Sequence, residues 1–140
     1  MFTASRLNKL WKTSPVVYYD SLSRFVLMSD CHRGSGNWGD DFLKNQNLFF
    51  AALTHYYQDG YTYIELGDGD ELWENRDMQQ IITAHSNTFR LLSDFYREKR
   101  LYMLYGNHDY VKKRQKFVGH NLKDYYCESE CCNMPLMPGI

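Results

Sequence analysis

Three short apolar runs, separated by longer amphipathic stretches, set what this chain can fold into. The runs are Phe25–Met28, Tyr61–Leu66 and Leu101–Tyr105. Runs of this length suit buried strands, and the second is rich in aromatic and β-branched residues. Between the first two, Asp40 to Gln58 places Phe42, Phe49, Leu53 and Tyr56 near one face at helical spacing. Asp40 and Asp41 suit the positive start of a helix, and Gly60 suits its stop. Between the last two, Asp77 to Glu98 carries a stripe of Met78, Ile82, Phe89, Leu92 and Tyr96. His85 lies on that stripe and reads as a packed core histidine, and His55 is read the same way. The order β-α-β-α-β predicts an α/β fold with a mainly parallel sheet and right-handed crossovers. Val16–Tyr19 is expected as a flanking strand, with a turn starting at Asp20-Ser21. Residues 111–126 are expected to start another helix. No element is expected over 127–140, where Pro135 and Pro138 oppose regular structure.

Composition narrows the function classes. With 44% hydrophobic and 16% aromatic residues, 3 Pro and 9 Gly in 140 residues, the chain is neither a disordered tail nor a low-complexity linker. No apolar run approaches the roughly 20 residues of a membrane span, and the N-terminus lacks a signal-peptide core, so a cytoplasmic protein with no membrane partner is expected. A net charge of -1 argues against a nucleic-acid binder. The basic cluster Lys112, Lys113, Arg114 and Lys116 is read as a solvated helix face. Cys31, Cys127, Cys131 and Cys132 show no zinc-finger spacing and are read as reduced thiols.

The chemistry sits at the strand ends. Each run opens into a loop of metal-ligand residue types: Asp30-Cys31-His32, then Gly67-Asp68-Gly69-Asp70-Glu71, then Gly106-Asn107-His108-Asp109. Ligands of open parallel sheets gather outside the carboxyl ends of strands, so Asp30, His32, Asp68, Asn107 and His108 are expected around one crevice. Residues i and i+2 of extended chain share a side, which lets Asp30 and His32 grip one ion. A carboxylate has two oxygens, so Asp68 can bridge two. Carboxylate, imidazole and amide donors suit Mn, Fe or Zn, and two ions about 4 Å apart can clamp both oxygens of a phosphoryl transfer around a bridging hydroxide. His108 is placed to protonate a leaving alkoxide or orient the phosphate, and Arg33 to hold a phosphate oxygen. Trp73, Glu74 and Arg76 are candidates to line the substrate crevice.

These three motifs, in this order, resemble the signature of the calcineurin-like metallophosphoesterase superfamily: Asp-x-His, Gly-Asp, then Gly-Asn-His-Asp/Glu. The wording around them resembles a bacterial branch often labelled protein phosphatase or generic phosphoesterase. The resemblance implies a β-sandwich flanked by helices, layered α/β/β/α, and a phosphoesterase using two divalent metal ions, with Mn favoured. By it, Asp30 and His32 hold the first ion, Asp68 bridges, Asn107 holds the second, and Asn107 and His108 meet the phosphate ester.

The superfamily's later motifs, a lone His and a Gly-His-x-His, have no counterpart, because Gly119-His120-Asn121-Leu122 lacks the second His. Residues 1–140 are therefore expected to be a single domain carrying only the N-terminal β-α-β-α-β half, cut short at its C-terminal end. Such a half leaves a sheet face uncovered and favours self-association. A non-catalytic metal-binding or interaction module that keeps half the site is the alternative. A Rossmann-type nucleotide site is disfavoured, since no Gly-x-Gly-x-x-Gly follows the first strand, and the spacing of an EF-hand loop is absent.

Overall fold

The computed structural model describes residues 2–126 and the strand at 136–137. Its elements are α1 (Phe2–Thr13), β1 (Phe25–Met28), α2 (Gln46–Gln58), β2 (Thr62–Leu66), α3 (Met78–Ala84), α4 (Ser86–Arg97), β3 (Leu101–Leu104), a 3-10 turn (Tyr110–Lys113), α5 (Gln115–Asn121), α6 (Lys123–Tyr126) and β4 (Leu136–Met137). The fold is α/β. One open parallel sheet runs in the order β1-β2-β3-β4, with Leu27 beside Ile64 and Glu65 beside Met103.

The period-2 alternation of strands divides the sheet into two unlike faces. Tyr63, Glu65, Leu101 and Met103 point into the core with Val26 and Met28, and there they meet Leu53 of α2, Ile81 of α3, Phe89, Leu92 and Phe95 of α4, and Val118 of α5. The opposite face leaves Leu27 54% and Leu66 45% exposed. Among the described residues there is a single sheet.

Several elements depart from the sequence expectation for identifiable reasons. Val16–Tyr19 is irregular chain with Val16, Tyr18 and Tyr19 exposed: it pairs with no strand among the described residues, and a β-prone run gains little from extension without such pairing and burial. The turn after it forms, with Asp20 accepting the Leu22 N–H at 2.9 Å. The N-terminal stretch, read only as lacking a signal core, is a largely exposed helix. Helix α2 starts at Gln46 rather than Asp40, because the Asp40 carboxylate accepts from the Gly36 and Leu43 N–H groups and closes a turn instead. It does stop at Gly60, whose φ of +76° is a left-handed conformation that favours glycine. The single helix expected over 77–98 breaks at His85, buried as expected but with φ -117° and ψ 33° between α3 and α4, whereas His55, read the same way, is exposed on α2. Its Nε2 lies 2.7 Å from Asp40 Oδ2, so one buried pair explains both departures. Asp77 caps α3 by accepting the Gln79 N–H at 3.0 Å. The solvated basic face is corrected at Lys112, which is fully buried. Leu136–Met137 forms a strand between Pro135 and Pro138, using the two residues there that keep their N–H donors. Cys127, Cys131 and Cys132 lie outside the described residues; Cys31 is a free thiol.

Candidate metal centre

Parallel pairing does not stop where β1 and β2 end. The Asp30 N–H donates to Gly67 O (3.2 Å), His32 N–H to Asp68 O (2.9 Å), Arg33 N–H to Gly69 O (3.0 Å) and Glu71 N–H to Arg33 O (2.9 Å). The third loop joins through Leu72 N–H and His108 O at 3.2 Å, and through His108 N–H and Asp68 Oδ1 at 2.7 Å. The three strand-end loops are thereby stitched into one surface.

Holding them so strains the backbone at specific places. Among the described residues four non-glycines have positive φ, and three of them are Asp30 (+55°), His32 (+49°) and Asp68 (+51°). Left-handed backbone is costly for residues with a Cβ and concentrates at functional sites. Asp30, His32 and Asp68 offer one donor atom each, all within 4.8 Å of one another. Glycine makes the approach possible: a Cβ on Gly106 would stand 2.3 Å from Asp68 Oδ1, and one on Gly67 would stand 3.0 Å from Gly106 N. Asn107 is exposed on the same turn, next to His108.

A second group, His32, Glu71 and His108, shares a histidine with the first. Glu71 Oε2 lies 3.0 Å from His32 Nδ1 and 2.6 Å from His108 Nδ1. One carboxylate oxygen therefore takes a proton donor from each ring, which leaves both Nε2 atoms directed elsewhere. His32 Nε2 is 3.8 Å from Asp30 Oδ1, on the side of the first group. This is how a carboxylate orients a metal-ligating imidazole from behind. Burial alone would raise the Glu71 carboxyl, but His32, the Glu74 N–H and His108 outweigh it and hold the pKa below its ordinary value. The rings of His32 and His108 meet edge to face at 4.4 Å.

Beside the ligand-type residues runs a buried ionic network. Arg33 is fully buried: NH1 and NH2 reach the Glu65 carboxylate at 2.7 and 2.9 Å, and Nε reaches Asp70 Oδ1 at 2.7 Å. The expected role of Arg33 in holding substrate is therefore corrected, because its guanidinium is committed inward. Lys112 Nζ bridges Asp70 Oδ2 (2.6 Å) and Asp109 Oδ2 (2.7 Å), while Asp109 Oδ1 accepts the Gly106 N–H at 2.7 Å. Burial works against ionised Asp70, but the Arg33 and Lys112 charges override it and hold its pKa down at about 2. Burial pushes the Cys31 thiol up to about 11, so the residue between Asp30 and His32 stays protonated at neutral pH.

The three motif loops thus meet as the sequence indicated, while Glu71, Asp70 and Glu65 were passed over as site residues. Glu65 carried a usable signal, an acid at an inward position of an apolar strand, which demands a buried cation. Of the residues expected to line the crevice, Glu74 and Arg76 are exposed, and Trp73 places its exposed ring 5.2 Å from that of His108. No helix is long and apolar enough to cross a membrane among the described residues. Set against known proteins, the chain matches no family model, no curated protein and no solved structure.

Proposed function

We propose that the chain carries the metal site of a phosphoesterase of the calcineurin-like type. The observation that supports this best is the convergence of Asp30, His32 and Asp68, from two strand ends, within 4.8 Å and all in left-handed backbone. Two carboxylates and an imidazole suit a divalent ion such as Mn, Fe or Zn, and Asn107 supplies a neutral oxygen on the neighbouring loop. When bound, such ions polarise a phosphoryl oxygen and acidify water, the chemistry that ester hydrolysis needs. The remaining work falls to the chain. Glu71 holds His32 with Nε2 towards the carboxylates. It also engages Nδ1 of His108, so that Nε2 faces the leaving oxygen, and the doubly protonated ring is the form that gives its Nε2 proton to a departing alkoxide. Asn107 and His108 meet the phosphate ester, and in this reading a second β-layer would complete the α/β/β/α arrangement over the exposed face of Leu27 and Leu66.

Hydrolysis of bis-p-nitrophenyl phosphate with added Mn tests the activity, and calorimetric titration with Mn tests the site itself. Asp68→Ala is expected to abolish both, while His108→Ala abolishes hydrolysis and spares Mn binding. Mn binding that survives Asp68→Ala unchanged would overturn the assignment. Mn binding without hydrolysis would favour the alternative of a non-catalytic metal-binding module.

A further inference from the structure

Trp73 is the one tryptophan among the described residues with a ring contact to the site. Trp11 and Trp38 are more exposed, at 88% and 105%, and meet no aromatic partner among the described residues. Trp73 is 63% exposed, yet its backbone is anchored: its N–H donates to Glu71 Oε1 at 3.1 Å, and the Glu74 N–H donates to the same oxygen at 3.1 Å. The carboxylate that orients both histidines therefore also holds the main chain from which the indole reaches His108. The result is a row of three rings, Trp73, His108 and His32, with centroids 5.2 and 4.4 Å apart, running from solvent to the carboxylate cluster. Substrate class follows from the order of that row. If His108 protonates the leaving oxygen, the group attached to that oxygen departs on the His108 side, where it meets the indole.

Resting on the reading of the site as a phosphoesterase, we propose that Trp73 is a stacking platform for the leaving group, and that the preferred substrates are phosphate esters whose alcohol carries a flat aromatic ring. A large exposed indole offers a π-face and apolar area that a saturated group of equal bulk uses less well. Among the described residues, no Lys or Arg side chain stacks on the Trp73 ring.

Two ligand pairs isolate the ring from the chemistry. Benzyl and cyclohexylmethyl phosphate have similar size and similar alkoxide leaving groups, and the corresponding phosphonates cannot be hydrolysed. With the Mn-loaded protein, benzylphosphonate is expected to bind about fivefold tighter than cyclohexylmethylphosphonate, with a matching kcat/KM ratio for the phosphates. Trp73→Ala is expected to bring both ratios near one, through a larger loss on the benzyl than on the cyclohexylmethyl ligands, and Trp73→Phe to keep most of the preference. A preference that persists in Trp73→Ala, equal losses on both ligands, or no phosphonate binding at all overturns the platform. Preferential phosphonate binding that depends on Trp73, with neither phosphate hydrolysed, supports the platform and refutes the hydrolase instead.

Discussion

Replacing Lys112 by methionine removes one cation from a network in which two cations, Arg33 and Lys112, face three carboxylates, Glu65, Asp70 and Asp109, all of them fully or almost fully buried. At an effective dielectric of about 20, unit charges about 2.6 Å apart attract by roughly 6 kcal/mol. The several kcal/mol needed to strip water from each ion largely offsets this while the network is whole. The balance changes when Lys112 goes. Asp70 keeps Arg33 Nε at 2.7 Å, but among the described residues Asp109 keeps only the Gly106 N–H at 2.7 Å. A buried carboxylate left in that state costs about 3–5 kcal/mol, a large share of the roughly 5–15 kcal/mol a domain has. Urea unfolding at neutral pH, followed by circular dichroism, should show that loss for Lys112→Met. The double variant Asp109→Asn/Lys112→Met should recover about 2 kcal/mol of it, because the stranded charge is gone. The double variant also keeps the test sharp if Lys112→Met alone does not fold. A loss below about 1 kcal/mol, or a double variant no more stable than Lys112→Met, would refute the account of Asp109 as the stranded charge.

Three further outcomes follow from single contacts. Gly106→Ala puts a Cβ 2.3 Å from Asp68 Oδ1 and should weaken Mn binding about 10–100-fold by calorimetry, while the protein still folds. Glu71→Gln loses the charge that fixes both imidazoles and should lower kcat about 10–100-fold, with a larger loss on an alkyl phosphate than on p-nitrophenyl phosphate, whose leaving group needs no proton from His108. Asp40 has its pKa lowered: burial would raise it, but the Gly36 N–H and His85 prevail. A lowered folded-state value means its stabilisation is present above the ordinary value of 3.8 and is lost as pH falls through the folded value. Asp40→Asn should thus be about 1–3 kcal/mol less stable at neutral pH and show a flatter stability curve between roughly pH 5 and 3.

What could be read from the sequence, and what could not, divides by the range of the interaction. The three strands sit within one residue of their apolar runs, because alternation and run length are local properties. Where the site loops begin follows from the strand ends, so Asp30, His32, Asp68 and His108 were legible as neighbours. Distant pairings were not. The start of α2 and the break at His85 both depend on the Asp40–His85 contact, which joins residues 45 apart, and no periodicity announces it. Arg33, read as a phosphate ligand, and Lys112, read as part of a solvated face, are both buried for the same reason: each is neutralised by Asp70, which the chain supplies from another loop.

Neighbouring residues in the motifs divide the labour by facing opposite ways. His32 faces the carboxylate cluster while Arg33 turns inward; Asp68 faces it while Asp70 turns inward; His108 meets Glu71 beside His32 while Asp109 turns inward to Lys112. Each loop thus contributes one outward donor and one buried charge, and the buried charges lock the three loops to one another. Charge that is merely buried is weak evidence of stability, since apolar side chains of equal volume would often serve as well. Ion pairs of fixed geometry do something apolar packing does less well: they set the register of three loops that have no regular structure of their own. Such a lock can hold Asp30, His32 and Asp68 in left-handed backbone against the strain. The network also keeps a net charge of -1, two cations against three carboxylates, next to a cluster that already holds two aspartates. A bound divalent cation would relieve that excess of negative charge, so the same residues that position the donors also favour the ion they would hold.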